Sequence, residues 1–175
     1  MTLYMQKKPS SWPDRFTIKD EFGIDRYFVE GERFTWGKPL HVFDMENREV
    51  ALVKRKLFAF YPIFEVYVND SLALAIKFTY EVNPKRTFLY MNKFLPKILI
   101  EGMDWTVDGI IYAHRYVILG PQGNVASIDQ VLLGFFRSES QIDIAVDKNE
   151  VLVLATVLAI DYVNKPSMHI SAGGM

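Results

Sequence analysis

Residues 151–163 read VLVLATVLAIDYV, a run that is apolar on every side and broken only by Thr156 and Asp161. A helix with no polar face must be buried all round. The rest of the chain reads as short β-strands, so the natural place for such a helix is inside a sheet that curls around it. The Val and Ile content favours a strand, because β-branched side chains lose rotamer freedom in helices. Two end signals favour a helix. Asp147 stands three residues before Glu150, the D-x-x-E spacing of a capping box, and Pro166 disfavours helical geometry at Lys165. The run is also longer than the usual strand of about five or six residues. The expectation is a buried helix over residues 148–163. Its uninterrupted apolar part, Val151 to Ile160, would be roughly 15 Å long as a helix. A hydrocarbon core is about 30 Å thick, so burial within the domain is preferred to a membrane span.

A chain of 175 residues suits one domain with a substantial core. The reading is a single domain over residues 1–165 and a flexible tail over 166–175. With half of its residues hydrophobic, the chain is not disordered. It has no cysteine, which excludes a disulfide framework, a thiol nucleophile and a Cys-ligated metal site. The opening MTLYMQKKPSSW lacks the apolar stretch of a secretory signal, so the expected location is cytoplasmic; binding to anionic lipid would add a peripheral place at the membrane. Charge is distributed unevenly. Residues 51–100 carry eight basic and three acidic side chains, and residues 101–175 four basic and nine acidic. The middle is basic and the end acidic.

Alternation marks the strands. Leu72, Leu74, Ile76, Phe78 and Tyr80 fall on one face, and Ser71, Ala73, Lys77 and Thr79 on the other. Ile142, Ile144 and Val146 repeat the pattern. One apolar side at period two is the mark of an antiparallel sheet wetted on one face. Three hairpins look like copies of one unit, with Phe16-Ile18-Asp20-Gly23 matching Leu40-Val42-Asp44-Asn47 and Tyr116-Ile118-Gly120-Gly123. The Gly and Asn supply positive φ where the chain reverses. Asn69-Asp70 makes a fourth hairpin. A meander of many such strands tends to close and remove its edges.

The order FTIKDEFGIDRYFVEGERFTWGKPLHVFDMENREVALVKRKLFAFYPIFEVYV, followed at the end by VLVLATVLAIDYV, resembles the LURP-one-related family, in particular its small bacterial members. The likeness covers most of residues 3–163. It implies a mainly β fold, a closed antiparallel barrel of about twelve strands around a central hydrophobic α-helix, as in the tubby C-terminal domain. It implies little chemistry. Tubby domains bind phosphoinositide head groups, but their ligand residues do not map one by one onto this chain. The chain departs from the pattern at Arg48, where the hairpin usually has Gly, which leaves the turn type open.

The candidate ligand-binding residues are Lys54, Lys56, Lys77, Lys85 and Arg86. Clustered ammonium and guanidinium groups bind phosphate or phospholipid head groups, while the bland reading is a solvated strand face. Alternation puts Lys54 and Lys56 on one side and Arg55 on the other. Phe58, Phe60, Tyr61 and Phe64 read either as a loop dipping into a membrane or as core, and core packing is preferred. Asp161 reads as a tether at the helix end, since a lone buried carboxylate is costly unless bonded. His41, His114 and His169 show no ligand spacing, and no acid stands in metal-ligand register beside the first two. GPQGN at 120–124 is a hairpin turn, without the Lys-Ser/Thr and helix of a phosphate loop.

The sequence therefore points to no catalytic residues, no metal and no cofactor. The expected function is a non-enzymatic barrel that binds anionic phospholipid or another phosphate-bearing partner on a basic outer face. The alternative is a protein-interaction or structural module. A scramblase-like membrane protein is less well supported, and no nucleic-acid partner is expected. A filled barrel should also hold no large interior pocket.

Overall fold

The computed structural model describes residues 1–7, 15–32, 39–82, 94–132, 138–145 and 149–163. The chain builds β1 (Thr2–Lys7), β2 (Phe16–Asp20), β3 (Asp25–Gly31), β4 (Leu40–Asp44), β5 (Glu49–Arg55) and β6 (Ile63–Val68). There follow β7 (Ser71–Val82), β8 (Phe94–Glu101), β9 (Thr106–Ile110), β10 (Arg115–Gly120), β11 (Gly123–Leu132) and β12 (Ser138–Ile144). The helix α1 (Glu150–Val163) comes last. All the strands among the described residues belong to one antiparallel sheet, ordered β8-β7-β6-β5-β4-β3-β2-β1-β12-β11-β10-β9. The ladder between β1 and β12 joins the first strand to the last. The barrel is nearly closed rather than closed: among the described residues no ladder links β8 to β9.

The helix fills the barrel. Leu152 to Tyr162 are all buried, and they meet inward side chains of the strands, among them Leu3, Ile18, Val42, Val53, Phe64, Ile76, Ile118 and Ile142. The helix packs most closely on β5, β6 and β7, and the Tyr162 ring sits 5.2 Å from that of Phe64. The Thr156 hydroxyl in the middle of the helix donates back to the Leu152 carbonyl at 2.8 Å, so burial leaves no orphan there. The expected start is corrected. The helix begins at Glu150, and its cap is Asn149, whose side-chain oxygen accepts from the Leu152 N–H at 3.0 Å. Asn is among the best capping residues; Asp147 lies outside the described residues. Arg26 pairs with Glu150 at 3.7 Å. Burial, with the Glu150 charge and hydrogen bond, pushes the Tyr27 phenol up to about 12.

The repeated hairpins share more than a residue pattern. In each of β2–β3, β4–β5, β6–β7 and β10–β11 the register shifts after the second inward residue: at Ile18, Val42, Val66 and Ile118. One extra residue stands on the second strand each time, namely Arg26, Val50, Ala73 or Val125. Bulges strengthen twist, and four at one end curl the sheet around its helix. The DEFGI and DMENR turns are built alike. Asp20 Oδ1 accepts from the Phe22 and Ile24 N–H groups, at 3.0 and 2.9 Å. Asp44 Oδ1 accepts from those of Glu46 and Arg48, both at 2.9 Å. The Arg48 N–H bond foremost, aided by its guanidinium, holds the Asp44 carboxyl below the usual carboxylate range. Positive φ falls on Asn47 and not on Arg48, so the missing Gly costs the turn nothing.

The bulge corrects one expected face. Leu74, Ile76 and Phe78 are buried as the alternation requires, but Leu72 is 57% exposed. It pairs with Tyr67 while Leu74 pairs with Val66, so the extra Ala73 between them turns Leu72 outward.

Candidate functional site

The strands β5, β6 and β7 lie side by side. Their inward residues Val53, Phe64, Val66, Ile76 and Phe78 are buried, so pleating turns Lys54, Glu65, Tyr67 and Lys77 outward. Lys54 stands opposite Glu65, and Lys77 opposite Ile63. Lys56 follows the end of β5 and donates its N–H to the Ile63 carbonyl at 2.8 Å. The fold thus brings Lys54, Lys56 and Lys77 to one outer face. A carboxylate lies among them. Glu65 is 3.9 Å from the Lys56 ammonium and accepts from the Tyr67 hydroxyl at 3.2 Å. Partial desolvation, then the Glu65 charge and hydrogen bond, raise the Tyr67 phenol. The Lys54 ammonium lies 5.2 Å from the centre of the Tyr67 ring, within cation–π range.

Arg55 has the opposite parity. It points toward the mouth of the barrel, where its charge lowers the Tyr162 phenol against the stronger upward push of burial. Lys85 and Arg86 lie outside the described residues. Lys97 was missed in the sequence. It follows Pro96 on β8, stands opposite Thr79 and is exposed beside buried Ile98, a parity legible once β8 is recognised.

The connection from β5 to β6 overturns the preferred core reading of its aromatic residues. Phe58 is 96% exposed and Phe60 93%, and Tyr61 is exposed too; Phe64 alone is core. The cause is local. The Lys56–Ile63 bond closes the hairpin ahead of the loop, and Pro62 has no N–H to continue the ladder. The chain between them arches away from the core, with Phe58 at φ 61°.

Two histidines have acidic partners that their spacing hid. His41 on β4 hydrogen-bonds Glu49 through Nδ1 at 2.7 Å and Glu32 through Nε2 at 3.0 Å. With a carboxylate on each nitrogen, the doubly protonated ring is favoured. Partial burial would depress its pKa, but the two hydrogen bonds and two charges outweigh that and hold it above 6.5. The carboxylates take opposite edges of the ring and do not converge. His114 bonds Asp161, which puts the predicted tether at the rim of the barrel. Beside them the buried Tyr116 hydroxyl has no hydrogen-bond partner; burial and then the Asp161 charge push it well above 10. Among the described residues no group of three or more His, Asp or Glu is placed to hold a metal ion. Nor is any helix there long and apolar enough to cross a membrane.

Comparison with known proteins agrees with the architecture. A model of the LURP-one-related family matches residues 1–161. An uncharacterised protein of Bacillus subtilis (strain 168), YxjI, is 26% identical over 161 residues, which is 92% of each chain. An X-ray structure of a protein from Arabidopsis thaliana superposes with a TM-score of 0.59 at 16% identity, covering 94% of this chain and 92% of that one. That level of identity speaks for the fold alone.

Proposed function

We propose a binding function for this chain, which belongs to the LURP-one-related family: it recognises anionic phospholipid, or a like phosphate-bearing surface, through the outer face of β5–β7. It acts by binding and not by catalysis, peripherally, on the cytoplasmic side of a membrane. The observation that carries the reading is the placement of Lys54 and Lys56, on and just after β5, and of Lys77, on β7, on one outer face with β6 between them. The α1 side chains occupy the barrel interior, which directs recognition to the outside. Each Lys near an anionic bilayer is worth about 1 kcal/mol, so such a cluster favours an anionic over a neutral surface, and salt weakens that preference.

Flotation with vesicles of neutral lipid, and of the same lipid mixed with anionic lipid, tests this. The protein should float with the anionic vesicles at low salt and be released as salt rises. Replacing Lys54, Lys56 and Lys77 together by Gln should remove most of the binding and leave the melting transition in place, since exposed charges contribute little to stability. Equal behaviour toward both vesicle types would overturn the reading. A second reading, a protein-interaction module, has one observation of its own, the exposed Phe58 and Phe60, because aromatic residues are enriched at protein interfaces.

A further inference from the structure

The loop from Leu57 to Pro62 is built as a fixed apolar tip. Phe58 and Phe60 stand almost wholly in solvent, and the Phe60 and Tyr61 rings meet edge to face at 5.0 Å. The left-handed backbone of Phe58 is one that bulky residues rarely adopt and that persists only where the surroundings impose it. Both feet of the loop are pinned. Lys56 donates to Ile63 at 2.8 Å, and the Phe78 N–H donates to the Pro62 carbonyl at 3.0 Å. Two large rings are therefore held out of the core by a rigid stem.

The charges around this tip are asymmetric. Lys54 and Lys56 flank its first foot, and Lys77 stands opposite Ile63 at its second. The turns at the far end of the barrel carry Glu21, Glu46, Asp70 and Asp104, with Arg48 paired to Glu46, and they too expose apolar side chains, Phe22, Ile24 and Met45. One corner of the molecule thus pairs exposed aromatic rings with cations, and the end facing away is rich in acid. That combination suits a bilayer better than a protein, whose interfaces are depleted in Lys. Aromatic rings settle at the level of lipid head groups, and stable anchoring takes an apolar element together with a basic patch.

We propose that this loop enters the interface of an anionic bilayer, with Phe58, Phe60 and Tyr61 among the head groups and Lys54, Lys56 and Lys77 against lipid phosphates. The barrel then stands with the end where α1 finishes turned to the membrane, tilted onto its β5–β7 side. The inference rests on the anionic-lipid reading above.

The absence of cysteine allows a direct test. An environment-sensitive dye on Phe60→Cys, and separately on Met45→Cys at the far end, is mixed with phosphatidylcholine vesicles with and without phosphatidylglycerol. The dye at 60 should brighten and shift to the blue with the anionic vesicles only, and the dye at 45 should not change. Adding the three Lys→Gln changes to the labelled protein should abolish the shift. Phe58→Ala with Phe60→Ala should weaken vesicle affinity at least roughly tenfold, given what burying one Phe contributes, without moving the melting transition. Binding of the wild type to anionic vesicles with the dye at 60 still in water, and undiminished in the double Phe variant, overturns loop insertion and leaves the basic face standing. No binding of the wild type to anionic vesicles overturns both, and the exposed rings then become a protein contact.

Discussion

His114 Nδ1 stands 2.9 Å from Asp161 Oδ1, and this contact fastens the last turn of the central helix to the barrel wall. The geometry is set on the wall side. A short 3-10 turn, Ile111–Ala113, ends on His114 at φ 50°, and the His114 N–H closes the turn on the Ile111 carbonyl. The left-handed residue lies where the chain folds back into β10, with its imidazole against the helix. Asp161 is 2% exposed, so its charge depends on the protein and not on water for compensation.

Removing the imidazole is therefore worse than removing the charge. His114→Ala should cost about 1–3 kcal/mol, the penalty of taking a partner from a buried polar group. Asp161→Asn, which keeps an acceptor and loses the charge, should cost less. Chemical denaturation of the two variants gives the order; a His114→Ala protein as stable as wild type would show that the contact does not hold the helix end.

Leu154 and Leu158 are fully buried in the middle of the helix. Replacing either by Ala should cost about 2–5 kcal/mol, because a wall of hydrogen-bonded strands cannot collapse into the hole. Urea unfolding with an unchanged m-value would report this as lost stability and not as a change in compactness.

The His41 cluster makes stability depend on pH in a definite direction. The folded pKa of His41 is raised above 6.5. The proton is thus bound more tightly in the folded state, and its stabilisation is complete below the unfolded pKa and lost as pH rises through the folded one. Wild type should lose its advantage over His41→Gln between weakly acidic and weakly alkaline pH, as read from paired thermal melts. Parallel curves across that range would show that the two carboxylates do not couple to the ring.

Gly109 permits β9 to lie against β10. A Cβ there would meet the Arg115 carbonyl oxygen at 2.6 Å and the Tyr116 Cα at 2.7 Å, at φ +126°. Gly109→Ala should destabilise by about 1–3 kcal/mol through backbone strain alone. Gly23→Ala meets no neighbouring atom and should cost less. Amide exchange would place the damage of the first variant in β9 and β10.

The inner surface of the barrel was legible because burial imposes a rule on every second residue. Leu74, Ile76, Phe78, Ile142 and Ile144 obey it, and α1 announced itself by having no polar side. Features that depend on one extra residue or on distant partners were not legible. Ala73 breaks the alternation without any mark in composition, and so reverses Leu72. Glu49 comes to His41 across a hairpin, and Asp161 reaches His114 from the far end of the chain. Phe58 and Phe60 look like core because hydrophobicity alone cannot tell a packed ring from one held outside. Of the candidate site, parity correctly grouped Lys54 with Lys56 and set Arg55 apart. The union of β5, β6 and β7 into one face needed the register.

The element that fills this barrel is the last of its elements to be synthesised. Twelve strands leave the ribosome with one apolar face each, and none of those faces can be covered until residue 163 has followed. At the usual pace of translation the nascent sheet waits on the order of ten to thirty seconds for its own interior. β1 waits as long for β12, its neighbour across the seam that joins the two halves of the sheet. Closure of the barrel must therefore follow the synthesis of α1 and cannot proceed strand by strand. For that interval the chain is a customer for whatever holds unfinished proteins apart.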